Sequence, residues 1–355
     1  MIDFLDKTDI SQLKRKDNRI INLKSQSYLC FMVVRNEMLR LPFIFKYYRK
    51  KGINNFFIVD NNSQDDTLIY LLQQSDTYVW QTSQHFDNKL KWLNSLLQNY
   101  AVGHWSLIID ADEILYYPDC EKQNIPQLCH HLERQGKNAL QALMLDMYSD
   151  KPIKSTNYLP GESFLKSCSF FDRQFFHHSE GISQTYHWGG LRQRVFGFSE
   201  EEGKKFYFLT KYPLIKYHSR MKLYSSHIIN NIKISSTTGC LLHFKYFFSF
   251  INYVEEEVKR EQHWQEASEY KKYAEIIDNP DEFTLYDSVE SVQLENSQQL
   301  IDLGIMKTGV STQKIPTFLV FCLESGYDLV QKVKNLLQNK LVRVFQEKNE
   351  PVAKS

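Results

Sequence analysis

The run Trp105-Ser106-Leu107-Ile108-Ile109 ends in Asp110, Asp112 and Glu113, three carboxylates within four positions. A short β-branched apolar segment bounded by polar residues fits a strand buried on both faces, as in the middle of a parallel sheet. In open α/β sheets, ligands bind outside the carboxyl ends of the strands, which is where these carboxylates fall. Extended geometry carried through the motif would point Asp110 and Asp112 to one side and Ala111 and Glu113 to the other. One pair could then share a divalent cation, and such a cation points to a phosphate-bearing substrate.

The segments around this run alternate between strand-like and helix-like patterns, the signature of a mostly parallel sheet. The spacing predicts a strand over Tyr28 to Val34, a helix from Leu41 to Lys51 ended by Gly52, and a strand over Asn55 to Val59. A short helix from Thr67, capped by Asp65 or Asp66, a strand at Tyr78 to Gln81, and a helix from Asp87 to Tyr100 follow. Past the carboxylates, Pro126 to Gln135 reads as a helix and Ala139 to Met147 as a strand. Residues 149 to 213 lose this periodicity and suit an active-site wall of loops. Strands are expected at Leu214 to Tyr217 and Leu241 to Phe247, and one or two helices at Phe250 to Tyr273. This gives a leader over residues 1–24 and a catalytic domain over 25–277, divided into a nucleotide half (25–147) and an acceptor half (148–277). A mainly helical C-terminal appendage over 278–355 completes the expected α/β architecture.

Net charge limits any anion binding to local sites. With 43 basic and 42 acidic residues the chain carries +1, so it has no global attraction for nucleic acid or an anionic membrane. The six cysteines are scattered without a C-x-x-C pair, which indicates neither a zinc module nor a disulfide framework. The first sixteen residues carry charges throughout and lack the apolar core of a signal peptide, so a cytoplasmic location is expected. The apolar runs fall far short of the ~20 residues needed to cross a bilayer. Residues 327–345 place Leu329, Val333, Leu336, Leu337 and Leu341 beside Lys332, Lys334, Lys340 and Arg343. That basic amphipathic pattern suits either packing on the catalytic domain or peripheral contact with the inner face of the cell membrane. The aromatics that crowd the middle of the chain suit either a cleft lining or a large core.

Three polar clusters directly follow strands: Arg35-Asn36-Glu37, Asp60 to Asp66, and Asp110 to Glu113. A doubly wound sheet would bring them to one edge. There a carboxylate such as Asp60 could accept from a base or ribose, while Asp112 could hold Mg²⁺ or Mn²⁺ through oxygen. Neither G-x-G-x-x-G nor G-x-x-x-x-G-K-[ST] occurs, so dinucleotide and P-loop chemistry lack their usual marker.

At these residues the chain resembles the family 2 type glycosyltransferases of GT-A fold. The matching stretches are Val33-Val34-Arg35-Asn36-Glu37, Val59-Asp60-Asn61-Asn62-Ser63-Gln64-Asp65-Asp66-Thr67 and Ile109-Asp110-Ala111-Asp112-Glu113. The resemblance implies a base contact for Asp60, a ribose and metal contact for Asp110, and the metal for Asp112, with Arg35, Asn36 and Glu37 beside the nucleotide. It extends to bacterial members with an Asp-Ala-Asp-Glu motif and a later Gly-Gly-x-Arg-x-Arg segment, matched by Gly189-Gly190-Leu191-Arg192-Gln193-Arg194 and Leu241-Leu242-His243-Phe244-Lys245. In such enzymes a further metal ligand, commonly His, comes from a C-terminal segment. His243 would be that ligand, with a core histidine as the alternative reading and His227 a second candidate.

Arg192 and Arg194 could pair with a diphosphate or an anionic acceptor, or form a solvated face. Lys89 and Trp92 could position the donor or be an ordinary surface and core pair on one helix. An inverting transfer needs a base for the acceptor hydroxyl, for which Asp146, Asp150 and Asp172 are candidates and Asp146 is favoured by its place after a strand. The expected activity is metal-dependent transfer of a sugar from a nucleoside diphosphate sugar, UDP-linked by preference, to a hydroxyl of a surface glycan or lipid-linked acceptor. The cofactor would be Mn²⁺ or Mg²⁺. Mg²⁺-dependent nucleotidyl transfer or phosphodiester hydrolysis, and a noncatalytic carbohydrate-binding scaffold, are the alternatives.

Overall fold

A computed structural model of the chain describes residues 12–174, 176–180, 185–197, 207–260, 264–277, 279 and 281–309. In chain order these form β1 (Lys14–Arg15), β2 (Tyr28–Val34), α1 (Leu41–Lys50), β3 (Asn55–Asp60), α2 (Thr67–Gln73), β4 (Thr77–Gln81), α3 (Lys89–Tyr100), β5 (Trp105–Ile108), β6 (Glu113–Tyr116), α4 (Ile125–Arg134) and β7 (Ala139–Asp146). There follow β8 (Phe170–Asp172), β9 (Phe176–Glu180), β10 (Thr185–Gly189), α5 (Leu191–Phe196), β11 (Thr210–Lys216), β12 (Leu223–Ser225), β13 (Ile228–Ile229), β14 (Ile234–His243), α6 (Phe250–Arg260), α7 (Trp264–Ile276), β15 (Ser291–Gln293) and α8 (Ser297–Asp302).

The α/β class expected from the alternation is what forms. Nine strands make one sheet in the order β1-β4-β3-β2-β5-β11-β7-β14-β6. From β4 through β3 and β2 to β5 every pairing is parallel; beyond β5 the antiparallel β11 leads to the parallel pair β7 and β14, with β6 antiparallel at the edge. The order runs outward from β2 to β3 and β4, then returns to place β5 on the other side of β2. That reversal is a topological switch point, and it opens a crevice at the carboxyl ends of β2 and β5.

Alternation along β2 explains why the sheet is covered on both faces. Cys30, Met32 and Val34 join the cluster under α1, α2 and α4, while Leu29, Phe31 and Val33 join the one under α3. A third cluster gathers Tyr148, Tyr246, Phe250, Tyr270 and Tyr273 around α6 and α7, so part of the mid-chain aromatic set builds core. The chain turns sharply out of α1 at Gly52, whose φ of +95° suits a residue without Cβ and whose Cβ position lies 2.7 Å from Pro126 Cδ.

Two boundaries differ from the sequence pattern. β5 stops at Ile108 and the chain turns at Ala111 and Asp112, with Glu113 N bonded to Asp110 O at 3.2 Å; extended geometry therefore does not continue through the motif. The last long strand begins at Ile234 and ends at His243, because Ser235 and Thr237 are buried against the sheet despite their polarity. The described residues, which end at Gly309, belong to one compact unit. The described part of the expected appendage is included in it, where Ser291–Gln293 pairs with β8. The amphipathic segment 327–345 lies outside the described residues. Among the described residues no helix is long and apolar enough to cross a membrane.

Buried Tyr48 fixes the turn that carries the carboxylates. Its hydroxyl donates to Glu113 O and accepts from Leu115 N, both at 2.9 Å. Tyr48→Phe leaves both backbone groups without that partner, and denaturant unfolding should show a loss of about 2–6 kcal/mol at ~1–3 kcal/mol for each unsatisfied group.

Candidate active site

The crevice at the switch point is a cleft of ≈ 460 Å³ lined by residues from both halves of the sheet and from α6 and α7, within the ~300–1,000 Å³ usual for small-molecule sites. Arg35, Asn36 and Glu37 reach it from the end of β2, Lys89 from α3, Asp110 and Asp112 from the turn after β5, Lys211 from β11, and His243 and Lys245 from β14 and beyond.

The loops after β2 and β3 are stitched together rather than loose. Asn36 takes a left-handed φ of 53°, accepts from Gln64 N at 2.7 Å, and its N donates to Ser63 Oγ at 3.0 Å. Glu37 N donates to Thr67 Oγ1 at 2.8 Å, and Arg35 is occupied by the carbonyls of Asn61 and Asn62 at 2.9 and 3.1 Å. Glu37 itself pairs with Arg40 at 3.0 Å. Burial outweighs that guanidinium and pushes the Glu37 carboxyl up to about 7.

The two aspartates of the motif have different partners. Asp110 Oδ1 accepts from Lys89 Nζ at 2.5 Å, and its Oδ2 lies 3.7 Å from Lys211 Nζ. Burial would raise this carboxyl, but the two ammonium groups hold it below the usual range. Lys211 also pairs directly with Glu113, which is 1% exposed and whose Oε2 accepts from Asp110 N at 2.9 Å. Asp112 instead faces His243, with Oδ2 and Nε2 3.3 Å apart. Burial opposes both charges, yet their mutual attraction drives Asp112 far below the carboxylate range and raises His243 to about 10.

The backbone fixes that juxtaposition: Phe244 N donates to Asp112 O at 2.8 Å and Met147 N to His243 O at 2.9 Å. His243 Nδ1 points the other way, 2.6 Å from Asp146 Oδ1.

A histidine raised from 6.5 to about 10 in the folded state contributes stability that is complete below pH about 6.5 and is lost as pH rises through about 10. In metal-free buffer the melting temperature should therefore fall more steeply between these limits in the native protein than in His243→Gln; parallel curves would contradict the ion pair.

The other residues singled out by the sequence are placed as follows. Asp60 is wholly buried and turned into its own loop, where it accepts from Gln81 Nε2 at 2.8 Å and from Ser63 N at 3.3 Å; it does not line the cleft. Asp172 and Arg194 pair with each other at 2.7 and 2.9 Å beside Tyr148, away from the cleft. Asp146 lies behind His243, and Trp92 is core at 1% exposure. Asp150 is exposed on a bend after β7. Arg192 lines the cleft and bonds Glu269 at 3.2 Å. His227 also lines it, its Nδ1 against Thr210 O at 2.9 Å. Burial, aided by Lys211, pushes His227 down to about 3, so it brings no positive charge to the site at neutral pH.

The sequence pattern singles out none of Lys211, Arg40 and Glu269, and includes Lys245 only as the last residue of the His243 segment. Lys211 had one usable signal, a lysine within the otherwise apolar strand Thr210 to Ile215.

Chemically, Asp112 and His243 offer one hard oxygen and one imidazole nitrogen at one point. Among the described residues no three His, Cys, Asp or Glu side chains form a ready-made cation cage. A cation here would complete its shell with oxygens of a bound phosphate, as Mg²⁺ sites commonly do.

No family model matches the chain, and no curated protein matches it. Among solved structures it is similar to a Bacillus anthracis protein assigned as a glucose-1-phosphate thymidylyltransferase, in complex with sucrose. The identity is 9% and the TM-score 0.29, over 71% of this chain and 84% of that one. A likeness this slight has no bearing on function, which is read from the site alone.

Proposed function

We propose that the protein is a metal-dependent glycosyltransferase that takes a sugar from a nucleoside diphosphate sugar, UDP-linked by preference, and passes it to a hydroxyl of a glycan or lipid-linked acceptor. The observation that supports this reading is the pairing of Asp112 with His243 at the switch point, His243 being backed by a carboxylate on its other nitrogen. That is the donor set of a carboxylate–histidine metal site, in which the rear carboxylate keeps the proton on Nδ1 and leaves Nε2 as a ligand. The residues fit Mn²⁺ or Mg²⁺, with Mn²⁺ favoured by the imidazole. A bound cation would act as a Lewis acid on the diphosphate leaving group.

The chain's own groups complete the account. Lys89 and Lys211 fix the orientation of Asp110 toward the cleft, where it can accept from ribose hydroxyls. Arg40, Arg192 and the two lysines line the cleft and would present positive charge to a diphosphate. Glu37 and Glu256 line the cleft and are the carboxylates from which an acceptor base would be drawn. Nucleotidyl transfer asks for a basic phosphate loop after the first strand, and Arg35 there is held by two backbone carbonyls.

A panel of UDP, GDP and CMP sugars incubated with Mn²⁺ tests the proposal. One nucleotide class should be released, and EDTA should stop the release. No release from any donor, with glycan binding that ignores nucleotide and metal, would favour a noncatalytic scaffold instead.

A further inference from the structure

Behind His243 lies a chain of charged groups that reaches α7. Asp146 ends β7 level with His243 in the parallel register of β14. Its Oδ1 takes the ring Nδ1 at 2.6 Å, and its Oδ2 stands 3.5 Å from Arg192 Nε. Arg192 NH1 donates to Glu269 Oε2 at 3.2 Å, while Glu269 Oε1 accepts from Lys245 Nζ at 2.7 Å. The Asp146 side chain is 2% exposed and does not line the cleft. A base must lie within hydrogen-bond reach of the proton it removes, and here His243 and Arg192 stand between Asp146 and any acceptor.

We infer that Asp146, ion-paired with Arg192, is a positioning residue that presents Nε2 of His243 to the cation site. The inference rests on the metal-dependent reading above. A neutral imidazole carries one N–H, and the ring nitrogen that meets an acceptor keeps it. Both ring nitrogens face a carboxylate, Nδ1 at 2.6 Å from Asp146 and Nε2 at 3.3 Å from Asp112; the closer contact to Asp146 would keep the Nδ1 proton when a cation takes the place of the proton on Nε2. Arg192 places positive charge at the carboxylate's other oxygen without a hydrogen bond to it, and Glu269 anchors Arg192 to the helix that walls the cleft.

The test is the dissociation constant of Mn²⁺ for the full chain, measured by the spin resonance of free Mn²⁺. Asp146→Asn should weaken binding by about 10–100-fold, the usual cost of losing an outer partner of a ligating histidine. Glu269→Gln, at the cleft rim, should weaken it by roughly 3–10-fold and serves if Asp146→Asn fails to fold. Saturating Mn²⁺ should restore donor turnover in Asp146→Asn. A loss of turnover that persists at saturation would make Asp146 the base and overturn the inference, as would wild-type Mn²⁺ affinity in the folded variants. If Asp112→Ala loses Mn²⁺ while Asp146→Asn and Glu269→Gln keep it, only the positioning role fails. If the native chain binds no Mn²⁺, the functional reading fails with it.

Discussion

Asp112→Ala is expected to weaken Mn²⁺ binding by more than about 100-fold, beyond the range seen for outer partners of a metal ligand, and to lower donor turnover by about 1,000-fold. The second figure follows from a cation contributing several kcal/mol of charge stabilisation to the leaving group, at ~1.4 kcal/mol for each factor of ten. Asp112 is the carboxylate to choose because its partner is exchangeable. His243 can give up its proton and turn Nε2 from donor to ligand, so the ion pair of the metal-free site and a metal site use the same two side chains. Asp110, held by Lys89 and Lys211, lacks that freedom. Asp110→Asn should accordingly reduce nucleotide affinity more than Mn²⁺ affinity. Metal binding at His243 must displace a proton, so Mn²⁺ affinity should rise with pH up to about 10, the point to which the ring is raised. Isothermal titration of Mn²⁺ into the native and variant proteins at two pH values measures both effects.

Lys211→Met should be the most destabilising single change in the cleft, at about 3–5 kcal/mol. Lys211 is 8% exposed and Glu113 1%, so removing the ammonium group leaves a carboxylate inside the sheet without its countercharge. Burial already raises the Glu113 carboxyl, and Lys211 is the strongest influence holding it down. Without the lysine, burial pushes the Glu113 carboxyl further above the ordinary glutamate range. The loss should therefore shrink as pH falls toward the ordinary glutamate range, where folded and unfolded forms both hold the proton. Lys211→Met combined with Glu113→Gln should recover most of the stability, since the pair is removed together. Urea unfolding of the two singles and the double gives the coupling directly. A cost below about 1 kcal/mol for Lys211→Met would show that the pair is solvated.

Local pattern made the nucleotide half of the sheet legible. The runs at Tyr28 to Val34, Asn55 to Val59 and Trp105 to Ile109 are apolar on both faces, and only a covered parallel sheet buries both. Asn36, Asp60 and Asp110 follow those strands, so their common edge could be foreseen. Which way each side chain turns could not. Asp60 bends back to Ser63 and Gln81, and Asp172 is held by Arg194, because hydrogen bonds from residues distant or local decide the rotamer after the strand ends. The partners of the site were equally hidden. Lys211 and Glu113 are 98 positions apart, and Asp146 and His243 are 97 apart. Only the insertion of β11 between β5 and β7, and of β14 beside β7, brings them together. The turn at Ala111 and Asp112 also had no sequence warning. It ends the alternation that would have put Asp110 and Asp112 on one cation and instead gives one of them to two lysines and the other to a histidine.

On the proposed function, Asp112 and His243 join a cation to a nucleoside diphosphate. Titrating UDP into the protein with Mn²⁺ and again with EDTA tests it most directly, by the ratio of the two dissociation constants. The site geometry predicts binding at least about 10-fold tighter with Mn²⁺ and no such gain in Asp112→Ala. Equal UDP affinity with and without the metal, or no UDP binding in either, would contradict it.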